Sequence, residues 1–165
     1  MKMNRSTWMK RTKSPRHLET HCLPHLLSLC ILLFLSACGT QESSQLEDFA
    51  QDFREANSAP GVQPMLALYE LAGSTEQTVN LLKNALLYEL GLPIRSIEFE
   101  PLSGAPEETI QYAHQGIEYG STLKPLMRMR VSYQSKDGYE SLFTIGRNQA
   151  GDWRIASSRP VEVAP

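Results

Sequence analysis

The chain has 165 residues, 41% of them hydrophobic and 21% charged, with 16 Lys and Arg against 18 Asp and Glu for a net charge of −2. That length suits a single domain of about 100–200 residues. The ordinary apolar fraction excludes a disordered or fibrous chain, and the near-zero charge argues against a nucleic-acid binder, which is usually basic.

These averages conceal two chemically different parts. Residues 1–16 carry Lys2, Arg5, Lys10, Arg11, Lys13 and Arg16 with no acid among them, and an apolar run of ten residues, Leu26 to Leu35, follows. A basic start, a short apolar run and small residues at a cut site describe a secretory signal peptide. About 20 apolar residues are needed to cross the hydrocarbon core, so the run is too short for a stable span. Its end, Leu35-Ser36-Ala37-Cys38, has an aliphatic residue, two small residues and a cysteine. This resembles the lipobox of bacterial lipoproteins, and the resemblance covers residues 1–38.

The resemblance implies that residues 1–37 are a signal peptide, removed by cleavage between Ala37 and Cys38. It also implies diacylglycerol on the Cys38 thiol, with an acyl chain such as palmitate often added to the new amine. One chain holds a protein marginally, whereas two or more, at about 0.8 kcal/mol per buried CH₂, hold it firmly. The implied address is the cell envelope, with the lipid bilayer as partner through acylated Cys38. Gly39, where an Asp would favour inner-membrane retention, points to the outer membrane facing the periplasm in a Gram-negative source.

Six of the 16 basic and one of the 18 acidic residues precede Cys38, leaving 10 and 17 and a net charge of −7. An acidic body disfavours polybasic docking on anionic lipid and any binding along nucleic acid. Cys22 and Cys30 leave with the leader. The remaining chain is therefore expected to hold no disulfide, no cysteine nucleophile and no thiolate metal site.

Residues 38–43 are small and polar and read as the lipidated cysteine with a flexible tether; 44–165 read as one α+β domain. Ser44-Gln45-Leu46-Glu47 has the form of a capping box, and Leu46, Phe49, Ala50 and Phe53 follow at helical spacing. This helix is expected to end near Asn57, ahead of Ala59-Pro60-Gly61. A second, short helix is expected from Gln63 to Ala72, with Pro64 in its first turn and Gly73 as its stop. Ser74-Thr75-Glu76-Gln77 repeats the capping pattern, and Val79, Leu82, Leu86 and Leu90 predict a helix over 75–90.

After Pro93 the period falls towards two. Arg95, Ile97 and Phe99 alternate with Ser96, Glu98 and Glu100, and Met127, Met129, Val131 and Tyr133 alternate with Arg128, Arg130, Ser132 and Gln134. Each pattern predicts a half-buried antiparallel strand. Lys136-Asp137-Gly138 and Gln149-Ala150-Gly151-Asp152 are turn signals that complete a meander through Tyr139–Ile145 and Trp153–Ala156. Residues 103–123 read best as a hairpin turning near His114-Gln115-Gly116, the alternative being a helix opened by Pro106-Glu107-Glu108.

The order predicts about three helices packed on one face of a curved antiparallel sheet of four to five strands. It resembles the nuclear transport factor 2-like cone over residues 44–160, on the strength of element order and the closing strand Gly151-Asp152-Trp153-Arg154-Ile155. The departure is that all three helices precede the sheet.

Chemistry-bearing patterns are few. His114 is the one imidazole left after the leader, and no Gly-x-Ser-x-Gly turn accompanies it. A metal site would have to combine His114 with Glu107, Glu108 or Glu118, at no recognised ligand spacing. No EF-hand run, Walker loop or dinucleotide fingerprint occurs. No catalytic residue, metal or cofactor is therefore expected. Glu98 and Glu100 lie about 7 Å apart on one strand face, a spacing a glycosidase pair can use. Arg128 and Arg130 share that spacing, so a cross-strand salt-bridge ladder on a wet face is the preferred reading. The competing reading makes Arg128, Arg130 and Arg154 an anion-binding strip for a carboxylate or phosphate. The set Met127, Met129, Tyr133, Phe99 and Trp153 reads as core, or alternatively as a cone-shaped apolar pocket. The favoured expectation is a lipid-anchored binding or scaffolding domain without catalysis, engaging an envelope protein or a small ligand. The alternative is a small-ligand carrier or enzyme of the nuclear transport factor 2-like kind.

Overall fold

The computed structural model describes residues 23–161, with side chains from residue 41 onward, so the basic leader lies outside the described residues. The chain divides into two compact units, Met1–Gly39 and Thr40–Pro165. Helix α1 spans Leu23–Ser58 without a break and so includes residues 38–43, the stretch the sequence suggested as a tether. Gly39 and Thr40 are weak helix formers, but extending a helix costs far less than starting one, and strong formers flank them. Among the described residues no helix is long and apolar enough to cross a membrane.

In the Thr40–Pro165 unit, the stripe predicted for α1 is the one that packs: Phe49, Ala50, Phe53 and Ala56 are buried. Asn57 closes the helix against the end of a later one. Its carbonyl accepts from the Gly91 N–H at 2.9 Å and its side-chain amide donates to the Leu92 carbonyl at 2.9 Å. Helix α2 is only Gln63–Leu66, shorter than expected. Tyr69–Glu70 instead form strand β1, parallel to Trp153–Ala156, with Leu68 O accepting from the Ile155 N–H at 2.8 Å. Tertiary pairing overrides the local helical pattern there, as it does for many short segments. Helix α3 spans Glu76–Leu86, capped by Thr75, whose hydroxyl accepts from the Thr78 N–H at 3.1 Å.

The remaining strands are β2 (Ile94–Pro101), β3 (Tyr112–His114), β4 (Ile117–Ser121), β5 (Met127–Tyr133), β6 (Glu140–Arg147), β7 (Trp153–Ala156) and β8 (Ser158–Pro160). The main sheet has the order β1-β7-β6-β5-β2, antiparallel except for β1 on β7, and a smaller sheet has the order β3-β4-β8. The fold is thus α+β, with three N-terminal helices against an open, mixed sheet. The meander and the 112–121 hairpin both form as read. Gln115 and Gly116, at φ 52° and 78°, make the two-residue turn between β3 and β4. Positive φ at both positions matches the twist of the flanking strands. Residues 106–109, the start of the competing helix, form a single 3₁₀ turn. Strand β8 was not anticipated; it leaves the main sheet one residue after β7 to join the small one.

The alternation in β2 is out of phase with the simple pattern. A bulge between Ile94 and Ser96 leaves Arg95 exposed, so Ile94, Ile97 and Phe99 all pack on the core. One extra residue in a strand has this effect, because it resets which face the next side chains take. The core lies between helices and sheet, with Met129, Val131 and Ile145 fully buried beside Phe53, Met65, Tyr133 and Ile155. Each such apolar side chain contributes about 1.5–3 kcal/mol on burial. Met129, Tyr133 and Trp153 are buried core members, and Met127 and Phe99 pack against them.

Candidate functional site

The outer face of the main sheet gathers the charged residues singled out in the sequence. The register sets Glu98 opposite Arg130 and Glu100 opposite Arg128. The strongest contact forms on the diagonal. Arg130 donates to Glu100 through Nε at 2.6 Å and Nη2 at 3.2 Å, and to Glu140 on β6 through Nη1 at 2.9 Å. Ser132 donates to the other Glu140 oxygen at 2.8 Å. The bond from Arg130 holds the Glu100 carboxyl below the usual range, and the Ser132 hydroxyl, then Arg130, does the same for Glu140. The Arg130 guanidinium is in turn held more firmly charged by the hydrogen bonds it donates to the two acids. Glu98 stays exposed.

Arg128 turns the other way, to Glu108 in the 3₁₀ turn. Glu108 is 3% exposed and its carboxylate accepts from the Ser103 N–H at 3.0 Å, the Ser103 hydroxyl at 2.8 Å, the Gly104 N–H at 2.8 Å and Arg128 Nη1 at 3.3 Å. The Ser103 backbone bond, with the Ser103 hydroxyl, Gly104 and Arg128 behind it, lowers this carboxyl from 4.5 to about 2. Buried carboxylates keep their charge when several donors converge on it in this way. The Thr144 hydroxyl donates to the Glu108 carbonyl at 3.3 Å, pinning the 3₁₀ turn onto β6. Arg128 Nε is buried without a partner. The one signal in the sequence was a Ser-Gly pair four to five residues ahead of an acid, which is too common to select.

Arg154 lies on β7, two strands from Arg128. It donates to the Trp153 carbonyl at 2.8 Å and contacts Asp152 at 3.5 Å. With Gln45, Asp48 and Asp52 it lines a cleft of about 360 Å³ in which Arg128 and Arg130 take no part. Arg154 therefore stands apart from Arg128 and Arg130, and each of the three contacts an acid. His114 is exposed at the end of β3, and Glu107 and Glu118 are exposed as well. Among the described residues no group of His, Cys, Asp and Glu is arranged to hold a metal ion. Ala37 and Cys38 lie in the backbone of α1.

Sequence reading missed a second acid. Glu89, just past α3, accepts from Ser141 at 2.8 Å, Tyr139 at 3.0 Å and Tyr133 at 3.3 Å. Burial, followed by the Glu89 charge, pushes the Tyr133 and Tyr69 hydroxyls well above the usual phenol range. Both phenols stay protonated at neutral pH, and that of Tyr133 donates to Glu89 at one end of the core. No protein-family model, no curated protein and no solved structure matches this chain.

Proposed function

We propose that the chain is a bacterial envelope lipoprotein, moored through acylated Cys38, whose folded body binds a partner or ligand and performs no covalent chemistry. The observation that carries the anchor is the order basic leader, apolar run, Leu35-Ser36-Ala37-Cys38. An inserted acyl pair supplies membrane attachment without a spanning helix. Outer-membrane attachment facing the periplasm, in a Gram-negative source, follows from Gly39 in the same way.

Two features support binding over catalysis. General acids and bases need a pKa near working pH, whereas Glu108, Glu100 and Glu140 are all displaced downward by fixed donors and act as permanent charges. The apolar set that an interior carrier pocket would need is occupied by side chains packed to 0–4% exposure, as at Met129, Tyr133 and Trp153. The test is intact-mass and N-terminal analysis of the protein from its bacterial membrane, with radiolabelled palmitate. The expected species begins at acylated Cys38, and Cys38→Ser abolishes label incorporation. A mature N-terminus elsewhere, or label retained by the serine variant, would overturn the anchor.

A further inference from the structure

The arginines on the sheet face are matched by acids, so the question is where unmatched positive charge collects. It collects at the junction of the two sheets. A cleft of about 550 Å³ is lined by Lys124, Arg147 and Arg159, by the polar groups of Thr122, Asn148 and Gln149, and by one acid, Glu70. Arg147 is committed: it stacks on the Trp153 ring at 4.4 Å and donates to Gln45 and the Gly151 carbonyl. Lys124 and Arg159 are exposed, and among the described residues neither has a carboxylate within ion-pair distance. Glu70 is turned to its own chain, accepting from the Ala72 N–H at 3.0 Å. A cleft lined by three cations and one acid, on a body of net charge −7, is a local reversal of sign.

The walls are fixed before any ligand arrives. The segment carrying Lys124 is held at one end by Thr122, which exchanges backbone and hydroxyl bonds with Ser157, and at the other by the Leu126 N–H on Ile145 O. Between them the Lys124 carbonyl rests against Gly146 of β6 so closely that a Cβ there would collide with it. The opposite wall is set by Asn148, whose side chain accepts from the Ala150 and Asp152 N–H groups at 3.0 and 2.9 Å. Arg159 lies along Gly73, where a side chain would crowd it. The backbone that carries the donors is thereby set, so binding has only their side chains to order. The volume falls in the range of small-molecule sites, about 300–1,000 Å³, and exceeds what a single inorganic ion fills.

We infer that this cleft binds a phosphate-bearing ligand of small-molecule size, with Lys124 and Arg159 as the charge-reading residues. Arg gives a two-point grip on a phosphate and Lys a movable point charge. The phosphate can belong to a soluble ester or to a lipid headgroup. The inference deepens the binding role proposed above but does not depend on acylation, so it can fail or succeed separately from the anchor.

Calorimetric titration of the full chain with inorganic pyrophosphate, and with dispersed short-chain phosphatidylglycerol, tests it. Saturable 1:1 binding is expected, weakening with added salt, and falling about tenfold or more in Lys124→Ala and in Arg159→Ala. Lys136→Ala, which removes an exposed lysine in the β5–β6 turn, should leave the affinity unchanged. Pyrophosphate binding alone identifies a soluble ester as the source, and phosphatidylglycerol binding alone identifies a headgroup. Absence of binding by both, or an equal loss in Lys136→Ala, would overturn the inference. The variants should melt with the parent, because neither side chain is buried.

Discussion

Phe53 offers the sharpest test of the packing described for α1. Its ring is 1% exposed and sits 5.5 Å from Phe143 of β6 at an interplanar angle of 57°. Truncation to Ala removes a ring held between helix and sheet and leaves a cavity, which costs about 3–5 kcal/mol. Unfolding entropy near 2.1 cal/mol/K per residue, over about 120 residues, gives about 0.25 kcal/mol/K. The melting temperature should therefore fall by about 12–20 °C, and the free energy lost is a large part of the roughly 5–15 kcal/mol typical of a domain. Thermal circular dichroism of Phe53→Ala beside the parent measures it. Leu81→Ala is the control, since Leu81 is 63% exposed on α3 and should shift the midpoint by no more than a few degrees. A drop in Phe53→Ala as small as the control's would refute the claim that residues 44–58 are part of the core.

The other expectations follow from the outer sheet face and its cover. Arg128→Ala should lower the urea midpoint clearly, because it leaves the buried Glu108 charge without its cation, while Arg130→Ala, whose contacts are half in solvent, should barely move it. Glu108 has a folded pKa of about 2 against 4.5 unfolded, so its contribution is complete above pH 4.5 and is lost as pH falls towards 2. Glu108→Gln should therefore be less stable than the parent at neutral pH and show a flatter decline in unfolding midpoint across that acid window. A parallel decline in the two proteins would remove Glu108 from the account. Gly146→Ala should cost about 1–3 kcal/mol by driving a Cβ into the Lys124 carbonyl, read as a lowered midpoint; an unchanged midpoint would show the segment carrying Lys124 to be loose.

Much of the architecture was legible because it rests on local pattern. The Leu46, Phe49, Ala50 and Phe53 stripe, the Thr75 cap and the alternation from Met127 to Tyr133 each announce one element, and each element forms. The failures have a common cause in partners distant along the chain. Tyr69–Glu70 leave the helical pattern for a strand on β7, more than 80 residues later. Arg95 defeats the alternation because a bulge depends on both strands, and the sequence of one strand does not contain the register. Arg130 reads as a rung of a ladder with Glu98 and Glu100, and its second acid, Glu140, comes from a further strand that the ladder did not include. Nothing local marks Glu108 as buried; its 3₁₀ turn folds back over Arg128, 20 positions on. Lys124 and Arg159 carry no pattern at all in one dimension; only the meeting of two sheets brings them to one opening.

The bulge at Arg95 has a further effect on how copies of the molecule can live together. β2 is the outermost strand of the main sheet, and a straight, apolar rim eight residues long would be a template for a neighbour's backbone. Here the rim starts after one proline, ends on another, carries Glu98 pointing to solvent and is kinked near its beginning. On the anchor proposed above, copies confined to a bilayer surface would meet far more often than molecules free in three dimensions. A spoiled rim lets them crowd without zipping into aggregates.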